Sequence, residues 1–227
     1  MLIPALDEEL NIGLVLSRVP PDILRQIVVV DNGSTDATAD VARRHGAVVV
    51  CEPERGYGAA CLKGLAYMAD DPPDVVVFLD GDGADDPNDL ASVLAPVIGG
   101  QADLVIGSRT LGDAEAGALT PVQRFGNGLS CHLIRYLFGL RFTDLGPFRA
   151  VTWSGLERLQ MADRNFGWTV EMQTKAARRG LRCEEVAVQY KRRHAGQSKV
   201  SGTIEGSIRA GVKILYTIGR EALRRRS

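Results

Sequence analysis

The chain is poor in the residues that most often announce a chemistry. Of its three histidines, His45 and His132 lie in helical runs with no partner at catalytic spacing, and both read as structural; His194 belongs to a basic loop. The four cysteines (Cys51, Cys61, Cys131, Cys183) are scattered, with no C-x-x-C pair and no zinc spacing. Cys51 and Cys183 fall in strand-like runs, and buried reduced thiols are expected. No window approaches 18 uninterrupted apolar residues, so no membrane span is expected. No leader of the signal-peptide kind is visible, and a cytoplasmic location is expected. Net charge is only −1 over 227 residues, which removes the overall basic field of a nucleic-acid binder. The balance is uneven, however. Residues 191–227 carry ten Lys/Arg against Glu205 and Glu221, a net of +8, and leave −9 for the first 190. A local anionic partner for the C-terminal end is expected, and no nucleic acid.

What the chain does have is a composition able to fold, 45% hydrophobic and 24% charged, at a length suited to one domain with a sizeable core. Its first half alternates apolar strand runs with helical segments. Strand ends are read at Met1–Pro4, which looks cut short so that an upstream start is expected, and at Gln26–Val30, Ala47–Cys51, Asp74–Leu79 and Ala102–Ser108. Helices are read over Glu8–Val19, Ala37–His45, Gly58–Asp70 and Pro87–Ile98. Strands apolar on both faces and separated by helices imply a mostly parallel α/β sheet covered on both sides. Ligands of such sheets bind at the carboxyl ends of the strands. After Arg109 the pattern changes. Residues 110–120 form a small, polar, glycine-containing loop read as a lid. A helix over Pro121–Phe138, a strand within Thr143–Val151, a helix over Trp168–Arg179 and a strand within Leu181–Tyr190 follow. A basic loop and a last helix from Gly202 to about Arg225 complete the chain. The expected organisation is one domain, 1–227, with a nucleotide-binding half (1–109), an acceptor half (110–201) and a basic amphipathic helix (202–227).

The most informative stretch is Val75-Val76-Val77-Phe78-Leu79-Asp80-Gly81-Asp82. Residues i and i+2 of an extended chain point the same way, so Asp80 and Asp82 can converge just beyond the strand. Two hard oxygen ligands beside a phosphate are a common seat for Mg²⁺ or Mn²⁺. A bare Asp-x-Asp is more often a turn; its neighbours shift the balance. Asp31, at the tip of Val28–Val30, can accept from a base or ribose, whereas Asp36 reads as a helix cap. Gly56 and Gly58 form a G-x-G four residues after a strand, the wrong context for a dinucleotide fingerprint. A dehydrogenase is rejected, while a glycine-lined approach beside a nucleotide is kept. Arg109 ends another strand on the same edge. With Arg124, Arg149 and Arg193 it is a candidate phosphate partner. Arg193-His194-Ala195-Gly196-Gln197-Ser198-Lys199 offers arginine, a flexible glycine and Ser-Lys, a loop suited to phosphate. The last helix can lie on an anionic bilayer or pack on the sheet; both stay open.

Seven pieces in order resemble the family 2 glycosyltransferases, most closely their polyprenyl-phosphate (dolichyl-phosphate) mannosyl- and glucosyl-synthase branch. They are Ile3–Glu9, Val30–Asp36, Gly56–Ala60, Asp80–Asp82, Gly107–Arg109, Asp144–Arg149 and Arg193–Lys199. The resemblance implies a GT-A fold and inverting, metal-dependent hexosyl transfer from a UDP- or GDP-sugar to a lipid phosphate. It implies that Pro4, Leu6, Glu8 and Asp31 line the nucleoside pocket and that Asp80 and Asp82 hold Mg²⁺ or Mn²⁺. Arg109, Arg124, Arg193, Ser198 and Lys199 would gather phosphates. Where the branch often has Gln two residues after the second aspartate, this chain has Ala84 followed by Asp85 and Asp86, making Asp85 a candidate third oxygen donor. A hydroxyl acceptor would need a general base, for which Asp144 and Glu171 are the candidates. A transferase acting on a soluble hydroxyl and a non-catalytic nucleotide-sugar-binding protein of the membrane surface are the competing expectations. A nucleotidyltransferase is disfavoured, since its glycine-rich phosphate loop belongs where this chain has Pro-Ala-Leu-Asp-Glu.

Overall fold

A computed structural model describes residues 1–196 and 204–224 of the chain. Short β-branched runs make the strands: β1 (Leu2–Ala5), β2 (Val28–Asp31), β3 (Val48–Cys51), β4 (Val75–Phe78), β5 (Leu104–Ser108), β6 (Arg149–Thr152) and β7 (Cys183–Ala187). They form one sheet in the order β3-β2-β1-β4-β6-β5-β7. β1 pairs parallel with β2 and β4, β2 with β3, and β5 with β7. β6 runs antiparallel to both of its neighbours, β4 and β5. The sheet is mostly parallel, as expected, and the strand contributed by the second half is wedged between two strands of the first.

Because successive side chains of a strand point to opposite faces, each strand feeds two cores. Leu2, Val28, Val30, Phe78, Ile106 and Val151 face one of them. It is covered by α3 (Tyr57–Met68), α5 (Pro121–Phe138), α6 (Trp153–Leu159), α7 (Trp168–Arg178) and α8 (Ile204–Arg224). Ile3, Val29, Val77, Val105 and Ala150 face the other, under α1 (Ile12–Arg18), α2 (Thr38–Arg44) and α4 (Leu90–Ile98). α4 begins after a 3-10 turn at Pro87–Asp89 whose cap is Asp86, its side chain accepting from the Asn88 amide at 3.1 Å. α5 has both signals of a well-bounded helix. Thr120 and Gln123 form a reciprocal capping box, and Gly139 ends the helix at φ +78°.

Two expectations need correcting. Cys51 is exposed at the end of edge strand β3, not buried; Cys61 and Cys131 are the buried thiols. α6 was not anticipated; Thr152 caps it by accepting from the Gly155 amide at 3.0 Å.

Candidate active site

β1, β2, β4 and β5 deliver their carboxyl ends to one edge, and strand order reverses between β1 and β4. A cleft of about 980 Å³ opens there. At such a switch point the flanking loops diverge to opposite faces and leave a crevice. Of the residues singled out in the sequence, Pro4, Leu6, Glu8, Gly56, Asp80, Asp82, Arg109, Arg124 and Arg193 all line it.

Asp80 leaves β4 with one carboxyl oxygen, Oδ1, shut off from solvent and without a protein partner. Burial, and then the neighbouring Asp82, push its pKa up to about 7. Tyr57, at the start of α3, hydrogen-bonds to it from the cleft wall. Asp82, by contrast, has protein partners for both oxygens. Its Oδ1 accepts from the Ala84 amide at 2.9 Å, and its Oδ2 lies 2.9 Å from the Arg193 guanidinium. The same guanidinium donates to Glu8 Oε1 at 2.8 Å. Thus Arg193 bridges the first and fourth strand ends. Asp85 is 2% exposed, both of its oxygens lack partners, and burial followed by Asp80 drives its pKa well up. It sits behind the cleft wall, where residue 85 bridges to Tyr190. Asp86 is structural, paired with Lys191 at 2.6 Å.

Among the described residues no three His, Cys, Asp or Glu side chains gather to hold a metal ion. Divalent ions that serve phosphate chemistry are commonly held by one or two carboxylates and complete their shell with substrate oxygens and water. An unpartnered buried Asp80 oxygen beside Asp82 fits that mode.

Arg109, following β5, is held from behind. Asp144 receives its Nε at 2.7 Å, its Nη2 at 2.7 Å and its backbone amide at 2.8 Å. Glu185 on β7 accepts from the amides of Thr143 and Asp144, fixing that turn. The Tyr190 ring lies 5.0 Å from the guanidinium carbon. Every strong acceptor position of Asp144 is therefore committed, and its side chain is 1% exposed.

Several candidates are not brought to the cleft. Glu171 is wholly buried under α8; it accepts from the Ala162 and Asp163 amides and pairs with Lys175 at 3.0 Å and Arg220 at 3.1 Å. Asp31 does not line the cleft, and its Oδ1 accepts from the Ser34 amide. Gly58 serves packing rather than a ligand: a Cβ there would meet the Asp163 carbonyl oxygen at 1.9 Å. At Gly56, which does line the cleft, a Cβ would meet the Arg164 carbonyl at 2.2 Å and φ is +154°. Both glycines let residues 163–165 cross the start of α3, and the Ala59 amide donates to Arg164 there at 2.9 Å. Arg149 holds the carbonyls of Leu145, Gly146 and Thr169. It is a buried brace, and burial lowers its pKa to about 10. Ser198 and Lys199 lie outside the described residues.

Other residues emerge only from the fold. Buried Asn32 donates to the carbonyls of Glu52 and Glu54 and accepts from the Gly56 amide at 2.7 Å, shaping the nucleotide-side wall. Its signal was available, since Asn after a strand and before Gly is turn chemistry. Tyr57 and Tyr190 had none. The 110–120 loop is stitched to the chain after β7: Tyr190 donates to the Asp113 carbonyl and Glu115 to that of Tyr190.

The profile of glycosyl transferase family 2 matches residues 2–163, the stretch that supplies β1 through β6 and most of the cleft wall. The chain belongs to this family. It is a glycosyltransferase. An uncharacterized glycosyltransferase of Mycobacterium tuberculosis is 39% identical over 209 residues, covering 92% of each chain. The undecaprenyl-phosphate mannosyltransferase of Micrococcus luteus is 29% identical, over 90% of this chain and 88% of its own. Among solved structures, glucosyl-3-phosphoglycerate synthase from Mycobacterium tuberculosis, in complex with Mn²⁺, UDP-glucose and phosphoglyceric acid, superposes with a TM-score of 0.75. It is 23% identical, over 96% of this chain and 78% of that one. The transferase fold expected from the strand-end motifs is the fold observed.

Proposed function

We propose that this glycosyltransferase moves a hexose from a nucleotide diphosphate sugar to a polyprenyl phosphate, with inversion and with a divalent cation. The observation that carries the lipid acceptor is the shape of the cleft. Its polar end is walled by the strand tips. Its lining also takes in Leu119, Val122, Phe166, Ala210, Gly211 and Ile214, which we read as an apolar arm toward α5 and α8, alongside Gln123, Arg124 and Asn127 of α5. A prenyl chain finds apolar surface there, whereas a small polyol acid would leave it wet.

Pro4, Leu6 and Glu8 line the nucleoside end, with Asp31 behind them. Asp80 and Asp82 would hold the cation beside the donor diphosphate, with Asp85 buried behind the cleft wall. When bound, Mg²⁺ or Mn²⁺ neutralises the charge that builds on the leaving diphosphate. Arg109, locked by Asp144, presents a fixed positive charge where phosphate oxygens gather. Arg124 on α5 faces the acceptor side. Arg193 pairs with Asp82 and Glu8, and it would be available to phosphate were a cation to take over the charge of Asp82. Both carboxylates that could have served as a base are committed elsewhere, Asp144 to Arg109 and Glu171 to the α7–α8 packing. That favours an acceptor that is already anionic and needs no deprotonation.

Labelled UDP- and GDP-sugars, Mn²⁺ and polyprenyl phosphate test the reading, with phosphoglycerate as the competing acceptor. Label entering the organic phase with one donor supports it. Label confined to the aqueous phase for every donor, or transferred only to phosphoglycerate, overturns it. The second outcome would favour the soluble-acceptor chemistry named for the solved neighbour.

A further inference from the structure

We propose that the exposed face shared by α5 and α8 docks the enzyme on an anionic lipid bilayer, with the apolar arm of the cleft opening toward the membrane. The lipid-acceptor reading gives this contact its purpose, while the surface is defined by exposure and charge. On α5, Val122, Phe125, Leu129 and Tyr136 recur every three, four or seven residues and form one outward stripe, 65%, 72%, 37% and 80% exposed. On α8, Val212, Leu215, Tyr216 and Leu223 do the same. The opposite stripe of α8 (Thr217, Ile218, Glu221) is buried against the body of the protein. The inward stripe of α8 therefore already has its partner in the body of the protein. α5 packs against α8, and the proposed face joins their two outward stripes. Soluble monomers rarely leave so many large apolar side chains together in water.

Charge selects the occupant. α5 contains no acidic residue. Across the two helices Arg124, Arg135, Arg209, Lys213, Arg220 and Arg224 stand against Glu205 and Glu221; of these, Lys213 pairs with Asp163, Arg220 with Glu171 and Glu221, and Arg224 with Glu221, so the outward charge rests chiefly on α5 and Arg209. Arg124, Arg135, Arg209 and Arg224 are exposed, as is His132 within the α5 stripe. A second copy brought onto this face by a twofold axis would oppose basic residues to basic residues. An anionic headgroup layer would meet them favourably, with the tyrosines at the polar–apolar boundary. No helix among the described residues is long and apolar enough to cross a membrane, so the contact lies on the surface. Continuity with the site runs through Val122 of α5, which belongs to both the outward stripe and the cleft lining, while Ala210, Gly211 and Ile214 line the cleft from the inward side of α8. A prenyl phosphate drawn from the bilayer would enter between the helices that rest on it.

Vesicle co-sedimentation of the full chain is the test. The wild type is expected to sediment with vesicles of phosphatidylcholine and phosphatidylglycerol, and weakly with phosphatidylcholine alone or at high salt. Phe125→Glu/Tyr216→Glu should lower partitioning at least about tenfold. Its transfer to a water-soluble short-chain prenyl phosphate should stay unchanged, while transfer to vesicle-embedded acceptor falls with partitioning. The milder Tyr136→Ser/Leu223→Ser should act in the same direction and guards against misfolding of the charged pair. Wild-type protein that stays in the supernatant, or variants that sediment like it, would overturn the proposal. So would a lipid-free dimer that the same substitutions dissociate, which would assign the face to a second copy. Vesicle binding without transfer to any lipid phosphate would instead defeat the acceptor reading and leave the docking face standing.

Discussion

Two clusters of buried acids, one at the strand ends and one beneath α8, differ in how their charge is met. At the strand ends, Asp80 and Asp85 keep oxygens without protein partners, and burial pushes both pKa values up. Beneath α8, by contrast, Asp163, Glu171 and Glu221 are surrounded by Lys213, Lys175, Arg220, Arg178 and Arg224, with the amides of Ala162, Asp163, Asn165 and Gly167 completing the set. Desolvating a carboxylate costs several kcal/mol unless partners offset it. The ion-paired cluster is thus a fastening between α7 and α8, with Asp163 Oδ2 and Glu221 Oε2 held by the charges of Lys213 and Arg178 rather than by hydrogen bonds. The unsaturated one is tolerable only if something else binds there. Charge density alone would have marked both as sites; partner supply separates them.

The largest effect should come from the open cluster. Asp82→Asn is expected to lower sugar transfer about a thousandfold in a radiolabel assay while unfolding remains cooperative, since it removes a charge the cation needs. A variant that transfers at the wild-type rate would erase the distinction drawn here. In the closed cluster the loss should appear in stability instead. Glu171→Gln strands Lys175 and Arg220 and should cost about 3 kcal/mol in urea unfolding, with turnover per folded molecule unchanged. Loss of turnover without loss of stability would return Glu171 to the site.

The third prediction uses pH. Asp80 has a folded pKa raised to about 7. A carboxyl raised on folding favours the native state below its unfolded pKa of about 4, and that contribution is lost as pH rises through about 7. Without metal, Asp80→Asn should match the wild type near pH 4 and exceed it by about 4 kcal/mol near pH 8. A wild type as stable as the variant at both ends would show that Asp80 has a partner after all. The smallest effect tests the residue that belongs to both worlds, Arg109, which is saturated by Asp144 yet lines the cleft. Tyr190→Leu removes the ring beside its guanidinium and should lower kcat/KM by a factor of about 2–5.

The sheet was legible because Val28–Val30 and Val75–Val77 leave no polar position within the strand, so their strand character does not depend on register. α5 matched its expected bounds because Thr120 and Gly139 punctuate it chemically. The direction of β6 was not legible: a four-residue strand carries no mark of parallel or antiparallel pairing. Nor could Glu171 be told from Asp80 along the chain, because Arg220, which helps satisfy it, lies 49 residues away. The G-x-G pair misled for the same reason. Its second glycine answers to the backbone of residues 163–164, more than a hundred positions downstream, where no local pattern points.

The antiparallel insertion of β6 sets a timetable for the nascent chain. Until residues 149–152 leave the ribosome, β4 has an unpaired edge and β5 has no neighbour on either side, so the nucleotide half waits on a latecomer. Contacts of such long sequence separation slow folding, and β4's run of Val75-Val76-Val77-Phe78 is an adhesive edge for as long as it waits. Production of this enzyme in active form should depend more on the pace of that middle stretch of synthesis than on anything nearer either end.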